Sequence, residues 1–232
     1  MTEFLAVARA LFITGTDTGV GKTWVAAGLV RSLRARGIRA VGFKPILCGE
    51  DRTDAEILRD ASRFSADDPP DLSLDEVNPV WFRSPVAPLA ASLLGETTPL
   101  DRCAILDTWE SLATRFEFVV IEGAGGWEVP LTETATFAEL AKAFAAPVLV
   151  VAANRLGVLN HTKLTVDAII RDGLDCAGIV LNEVTPPDAA DVARKTNLSV
   201  LRQMFRGLPV VQVEWNHLDF DSGSKLYNIL SK

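Results

Sequence analysis

The chain has 232 residues, of which 48% are hydrophobic and 23% charged, and its formal net charge at pH 7 is −7. We expect one domain over residues 1–232, because this length suits a single substantial core. The negative charge argues against binding to nucleic acid or to an anionic membrane, since both need a basic surface. No apolar run approaches the roughly 18 residues of a membrane span. Three widely spaced cysteines favour reduced thiols and a cytoplasmic location.

Strand and helix patterns alternate from end to end, which predicts an α/β fold with a mostly parallel central sheet and helices on both faces. The first strand is the apolar run 11–13, and a helix is predicted over 24–36. Between them lies the loop Gly15-Thr-Asp-Thr-Gly-Val-Gly-Lys-Thr23. Free N–H groups and the helix dipole converge at such a helix start, so the sequence predicts a P-loop NTPase-like phosphate site. Lys22 would lie over the terminal phosphates, and the Thr23 hydroxyl would bind magnesium.

A second strand is predicted over 39–43 and is ended by Lys44-Pro45, because proline cannot donate to a sheet. Lys44 therefore lies at the carboxyl end of a strand, where ligands bind in open α/β sheets. A helix follows over 54–62. Residues 67–99 are rich in Pro, Asp and Ser, and we expect a long irregular excursion with one short helix at 87–94. This excursion either holds substrate or covers the sheet.

Another buried strand, 118–121, ends in Glu122 and the glycine-rich run 123–126. A carboxylate that closes a buried strand in a nucleotide-binding protein is a second element of a magnesium site. The other predicted elements are helices at 100–114, 135–144, 154–171, 189–206 and 222–230 and strands at 148–152, 177–181 and 210–213.

Taken together, the motifs resemble those of the dethiobiotin synthetases. They occur in the family's order and span residues 11–187. The five-residue gap between Gly15 and Gly21, one longer than in the common phosphate-loop pattern, is the form that this family uses. The matching segments are Gly15 to Thr23, Gly42 to Pro45, Asp54, Glu122 to Trp127, Leu156 to His161 and Asn182 to Pro187.

The resemblance implies an ATP-dependent ligase of biotin synthesis that acts on 7,8-diaminononanoate and CO2 as a homodimer. One amine forms a carbamate with CO2, the carbamate takes the γ-phosphoryl group of ATP, and the second amine closes a cyclic urea. The implied catalytic residues are Thr18, Lys22 and Lys44. Magnesium is assigned to Thr23, Asp54 and Glu122. The nucleotide is assigned to these three residues with Gly19, Val20, Gly21, Lys22 and Asn182, and the substrate to Thr18, Lys44, Cys48, Gly125 and Asn160.

Several positions depart from the family pattern, among them Cys48 and Arg194. Cys48 replaces a serine near the substrate amines, and a thiol forms a weaker hydrogen bond than a hydroxyl. Arg194 stands near the place where some members use a tyrosine of the partner subunit. An ATP-binding homologue without catalysis is therefore one alternative.

Two related groups of ATPases, the cobyrinate amidases and the partitioning ATPases, are further alternatives. The amidases normally add a glutaminase domain, for which we expect no room in 232 residues. The partitioning type has an extra lysine early in its loop, where this chain has Asp17.

Overall fold

The computed structural model describes residues 9–63, 72–186, 188 and 190–215. Within these ranges the strands are β1 (Arg9–Gly15), β2 (Ala40–Phe43), β3 (Ile46–Cys48), β4 (Val80–Phe82), β5 (Phe118–Gly126), β6 (Val148–Ala153), β7 (Cys176–Asn182) and β8 (Val210–Val213). The helices are α1 (Lys22–Ala35), α2 (Thr53–Ala61), α3 (Leu74–Val77), α4 (Pro88–Leu93), α5 (Arg102–Arg115), α6 (Phe137–Phe144), α7 (Val158–Arg171) and α8 (Val192–Met204). None of these helices is long and apolar enough to cross a membrane.

Six strands form one parallel sheet in the order β2-β5-β1-β6-β7-β8, and β3 pairs with β4 in a separate parallel ladder. The connection from β1 through α1 to β2 runs towards one edge of the sheet. Those from β5 to β6, β6 to β7 and β7 to β8 run towards the other edge. Because parallel crossovers are right-handed, α1 lies on one face and α6, α7 and α8 lie on the opposite face. The predicted α/β architecture is confirmed.

The central strands are buried on both faces, as parallel sheets require, and therefore read as continuous apolar runs. The side chain of Phe12 on β1 has no exposed surface. Its ring lies edge-on to Trp127, with centroids 6.1 Å apart, and is stacked on Phe144 at 6.2 Å. This aromatic cluster joins β1 to the end of β5 and to α6, so it supports the strand that leads into the glycine loop.

The excursion is more regular than predicted over the part that the structure describes, residues 72–99. It contains the expected helix α4, but also α3 and β4, which the sequence pattern did not indicate. β3 was likewise missed, because strands of three residues are too short to show a periodicity. Helix α6 begins two residues later than predicted, because Thr136 caps it in a capping box with Glu139. The predicted helix at 222–230 lies outside the described residues.

Candidate functional site

The glycine loop joins the end of β1 to the first residue of α1, as predicted. Gly21 precedes the helix with a φ of 88°, which favours glycine. A Cβ atom at Gly21 would lie 2.1 Å from Nδ2 of Asn182. That same Nδ2 donates a hydrogen bond to the carbonyl oxygen of Val20 at 2.9 Å. Asn182, at the end of β7, therefore fixes the backbone of the loop at Val20 and packs against Gly21.

Lys44 lies in a charged cluster beside this loop. Its Nζ is 2.5 Å from Oε1 of Glu122 and 3.1 Å from Oδ2 of Asp54. The lysine side chain is 3% exposed and that of Glu122 is fully buried. The hydroxyl of Thr23 donates to the same Glu122 oxygen at 2.8 Å. Burial alone lowers the pKa of Lys44, but the two carboxylates outweigh it, so its pKa is raised and the ammonium form persists.

Lys22 supplies a second cation whose side chain is also nearly enclosed, with 7% of the residue exposed. Its Nζ donates to the carbonyl oxygen of Asp17 at 3.2 Å. Burial, and then repulsion by Lys44, lower the pKa of Lys22 to about 8 despite the nearby carboxylates. Lys22 is therefore poised to gain an anionic partner, because no carboxylate of the described residues lies within salt-bridge distance of its Nζ.

The oxygens near Lys44 form a donor set that suits a hard divalent cation. Oε2 of Glu122 is buried and has no hydrogen-bond partner, which is costly unless something binds it. The Thr23 hydroxyl and the Asp54 carboxylate lie near the same lysine–glutamate pair. Among the described residues, no group of three or more His, Cys, Asp or Glu side chains could hold a metal ion alone. A cation here would need the hydroxyl and further oxygens from a ligand, as Mg²⁺ at nucleotide phosphates does.

A cavity of about 340 Å³ opens between the glycine loop and the charged cluster. A second cavity of about 210 Å³ shares four lining residues with it, Thr18, Cys48, Ala124 and Gly125. Cys48 lines both, and burial raises the pKa of its thiol to about 11, so the thiol stays protonated near neutral pH. Gly125, near the end of β5, also lines both, and with a φ of 66° its backbone lies close to Thr18. The second cavity is otherwise lined mainly by apolar groups of residues 85–88, Ala124 and Val129.

Comparison with known proteins identifies the family. A family model described as an AAA domain matches residues 9–217. The ATP-dependent dethiobiotin synthetase of Akkermansia muciniphila is 46% identical over 88% of this chain and 90% of its own length. Those of Anaeromyxobacter dehalogenans and Xanthomonas axonopodis pv. citri are 48% and 42% identical, over 81% and 84% of this chain and 86% and 85% of their own lengths. The chain belongs to the ATP-dependent dethiobiotin synthetase family.

A likeness to a solved structure agrees with the fold. The structure of a protein described as a plasmid partition protein from Borrelia burgdorferi B31, bound to AMPPNP, superposes with a TM-score of 0.50. The match covers 97% of each chain at 11% identity. At this identity the likeness shows the fold alone. The predicted P-loop NTPase-like fold is confirmed.

Most of the predicted site residues meet at the larger cavity. Only Val20, Asn182 and Asn160 of the predicted set do not line it. Val20 within the loop and Asn182 at the end of β7 are buried, and Asn160 is exposed in the first turn of α7. The predicted residues that line it are Thr18, Gly19, Gly21, Lys22, Thr23, Lys44, Cys48, Asp54, Glu122 and Gly125.

Two ionic contacts near the site were not anticipated. Asp17 of the glycine loop pairs with Arg155 after β6, with Nη2 and Oδ2 2.6 Å apart. Arg194 is hydrogen-bonded within its own chain. Its Nε donates to Glu183 at 2.8 Å, and its Nη1 donates to the carbonyl oxygen of Pro186 at 2.9 Å. Both contacts join residues from different elements, which local sequence patterns cannot indicate.

The lowered pKa of Lys22 predicts that binding of an ATP analogue takes up a proton above pH 8. Bound phosphates raise the pKa of this lysine, so at pH 8.5 about three quarters of a proton should enter the complex. At pH 6.5 the free lysine is already protonated and uptake should be close to zero. Calorimetric titration in two buffers of different ionisation enthalpy measures the uptake. Equal uptake at pH 8.5 in Lys22→Met would contradict the assignment.

Proposed function

We propose that this chain forms a single domain that catalyses the ATP-dependent conversion of 7,8-diaminononanoate and CO2 into dethiobiotin, ADP and phosphate. The observation that carries the proposal is the convergence of Lys22, Lys44, Thr23, Asp54 and Glu122 on one cavity of a dethiobiotin synthetase fold. Two cations from different elements and three oxygen donors are what phosphoryl transfer from ATP requires. The adjoining apolar cavity can take an aliphatic chain. The three free cysteines are compatible with a reducing cytoplasm, where we place the protein.

The chemistry needs positioned charge more than a protein nucleophile. An amine of the substrate adds to CO2 and loses a proton, which gives a carbamate. A carbamate oxygen attacks the γ-phosphorus as the bond to ADP breaks, and this forms a carbamic–phosphoric anhydride. The second amine then attacks the carbonyl carbon, loses a proton and expels phosphate to close the urea ring. Lys22 and Lys44 balance the negative charge that moves with the phosphoryl group.

The magnesium ion would be held by Thr23, Asp54 and Glu122, together with phosphate oxygens. When bound, it neutralises negative charge on the phosphates. Glu122 already orients the Thr23 hydroxyl and Lys44 through a single oxygen, so its second oxygen is available. The proposed magnesium ligands Thr23 and Glu122 are thus joined by hydrogen bonds to Lys44, which balances the charge of the transferred phosphoryl group.

The substrate would occupy the smaller cavity with its amines towards Thr18 and Lys44. Cys48 and Gly125 line the boundary between the cavities, where the reacting amines would lie. The protonated Cys48 thiol is a weak donor, so we assign it a packing role beside the amines. The carboxylate of the substrate would reach the start of α7, where free N–H groups and Asn160 can receive it. The Nδ2 of Asn182 is bonded to Val20, so Asn182 would contact the adenine through its other side-chain atoms.

A direct assay tests this function. The protein is incubated with Mg-ATP and bicarbonate, with and without 7,8-diaminononanoate, while ADP and dethiobiotin are quantified. We expect equal amounts of both products, only with the diamine. Lys22→Ala should abolish them, and the exposed Lys195→Ala should not. ADP release that ignores the diamine would indicate another ATPase, and nucleotide binding without turnover would indicate an inactive homologue.

Replacement of Glu122 by Gln should lower kcat about 100-fold and raise the Mg²⁺ concentration needed for half-maximal rate. The amide keeps the shape but removes the charge that pairs with buried Lys44 and that would face the cation. ADP release with the diamine is measured against Mg²⁺ concentration. Glu56→Gln, on the exposed side of α2, serves as the control. An unchanged magnesium response would remove Glu122 from the metal site.

We also propose that the protein works as a homodimer through the exposed apolar side chains of α7 and the loop before it. Leu156 is 85% exposed and Leu164 is 61% exposed. Leu164 lines a surface cavity with Asp17 and Thr18 of the glycine loop. Light scattering should give twice the chain mass of 25.1 kDa. Leu164→Glu should give a monomer, whereas Val192→Glu on α8 should not. A wild-type monomer would contradict the proposal.

A further inference from the structure

The segment 74–82, which contains α3 and β4, contacts the backbone of Lys44 on both sides. The N–H of Lys44 donates to the carbonyl oxygen of Val77 at 2.7 Å. The side-chain amide of Asn78 donates to the carbonyl oxygen of Lys44 at 2.8 Å. Both peptide groups of this lysine are therefore fixed by two consecutive residues of the excursion. The excursion does more than cover the sheet.

The same asparagine is joined to the start of α2 through Arg52. Nε of Arg52 donates to Oδ1 of Asn78 at 3.1 Å, and Nη2 donates to the carbonyl oxygens of Leu74, at 2.9 Å, and of Asn78. Arg52 is the residue directly before α2, and Asp54 lies in the first turn of that helix. The position of the Asp54 carboxylate thus depends on how Arg52 is held.

Asn78 uses both N–H groups of its side-chain amide within the protein. It is 1% exposed, and its amide nitrogen also donates to the carbonyl oxygen of Val80 at 2.9 Å. Its oxygen accepts from a guanidinium, which makes a strong, directional bond. One buried amide therefore connects two backbone carbonyl groups and one cation, and two of the connected segments carry Lys44 and Asp54.

We propose that Asn78 and Arg52 form a positioning pair that fixes Lys44 relative to Asp54 and so sets the geometry of the charged cluster. The pair touches neither the cavity nor the phosphate loop, which Asn182 supports separately. Its consequence for turnover rests on the proposed function. Loss of the pair should therefore reduce phosphoryl transfer while ATP binding is retained.

The kinetic test compares Asn78→Ala with Ser62→Ala. Ser62 is a matched control, because its buried hydroxyl also joins α2 to β2, through the N–H of Gly42 at 2.9 Å, without contacting Lys44 or Asp54. We expect kcat of Asn78→Ala to fall about 10-fold or more, with the Kd of an ATP analogue within about threefold of wild type. Ser62→Ala should lower the melting temperature but hold kcat near wild type. Equal effects of the two variants on kcat would overturn the proposal, and so would a parallel loss of ATP affinity.

Arg52→Lys keeps the positive charge but removes the several guanidinium donors that bind Asn78 and Leu74. This variant is used instead if Asn78→Ala does not fold. We expect kcat to fall about threefold to tenfold, again without a matching change in Kd. An unchanged kcat in this variant would contradict the role of the pair.

A chemical readout is independent of the reaction. Lys44 is 3% exposed in its cluster, so acylation by an amine-reactive ester should be slow, with Lys163, 50% exposed, as an internal reference. In Asn78→Ala the ratio of Lys44 to Lys163 acylation, measured by mass spectrometry, should rise about fivefold or more, and in Ser62→Ala it should not. If the wild type makes no dethiobiotin, the proposed function fails, while this ratio still decides the positioning role. An unchanged ratio in Asn78→Ala would overturn it.

Discussion

A buried ammonium group between two carboxylates is the interaction on which the site depends. Lys44 and Glu122 have lost almost all contact with water, and neither charge could be buried alone without a large desolvation cost. Each therefore requires the other, and Asp54 and Thr23 complete the set from the surface side. An ion pair of this kind adds little net stability, but it fixes positions, because any displacement leaves a buried charge unpaired. Under the proposed function, it would hold an ammonium group where the phosphate binds.

Sheet order explains how residues so far apart in sequence meet. β2 and β5 are neighbours, and Phe43 pairs with Ile121 in the parallel ladder. Lys44 and Glu122 are the next residues of the two strands, so their contact follows from the register. β1 lies on the other side of β5, with Ile13 opposite Glu122, and brings the glycine loop to the same edge. The carboxyl edge of a parallel sheet thus gathers both cations and one carboxylate without any long loop.

The sequence indicated the parts of this arrangement that local patterns carry. Long apolar strands, the glycine loop, Lys44 before a proline and Glu122 after a buried apolar run all follow from the residues themselves, and the family resemblance added Asp54. The predicted strand end at residue 121 was wrong, because β5 continues to Gly126. Contacts between distant segments could not be read in this way. The bond from Thr23 to Glu122 spans 99 residues and that from Asn182 to Val20 spans 162. The short strands β3 and β4 lacked a periodic signal, although they bring Asn78 to Lys44.

Two asparagines, Asn182 and Asn78, support the two halves of the site from outside the cavity. One holds the backbone of the phosphate loop and the other holds the backbone of Lys44. A neutral amide suits this task, because it donates and accepts without adding charge to a region already crowded with charged groups. A lysine in the same place would compete for the carboxylates, and an aspartate could not donate to a carbonyl. The two asparagines hold different segments, so under the proposed function ATP binding and the alignment of Lys44 would depend on different supports.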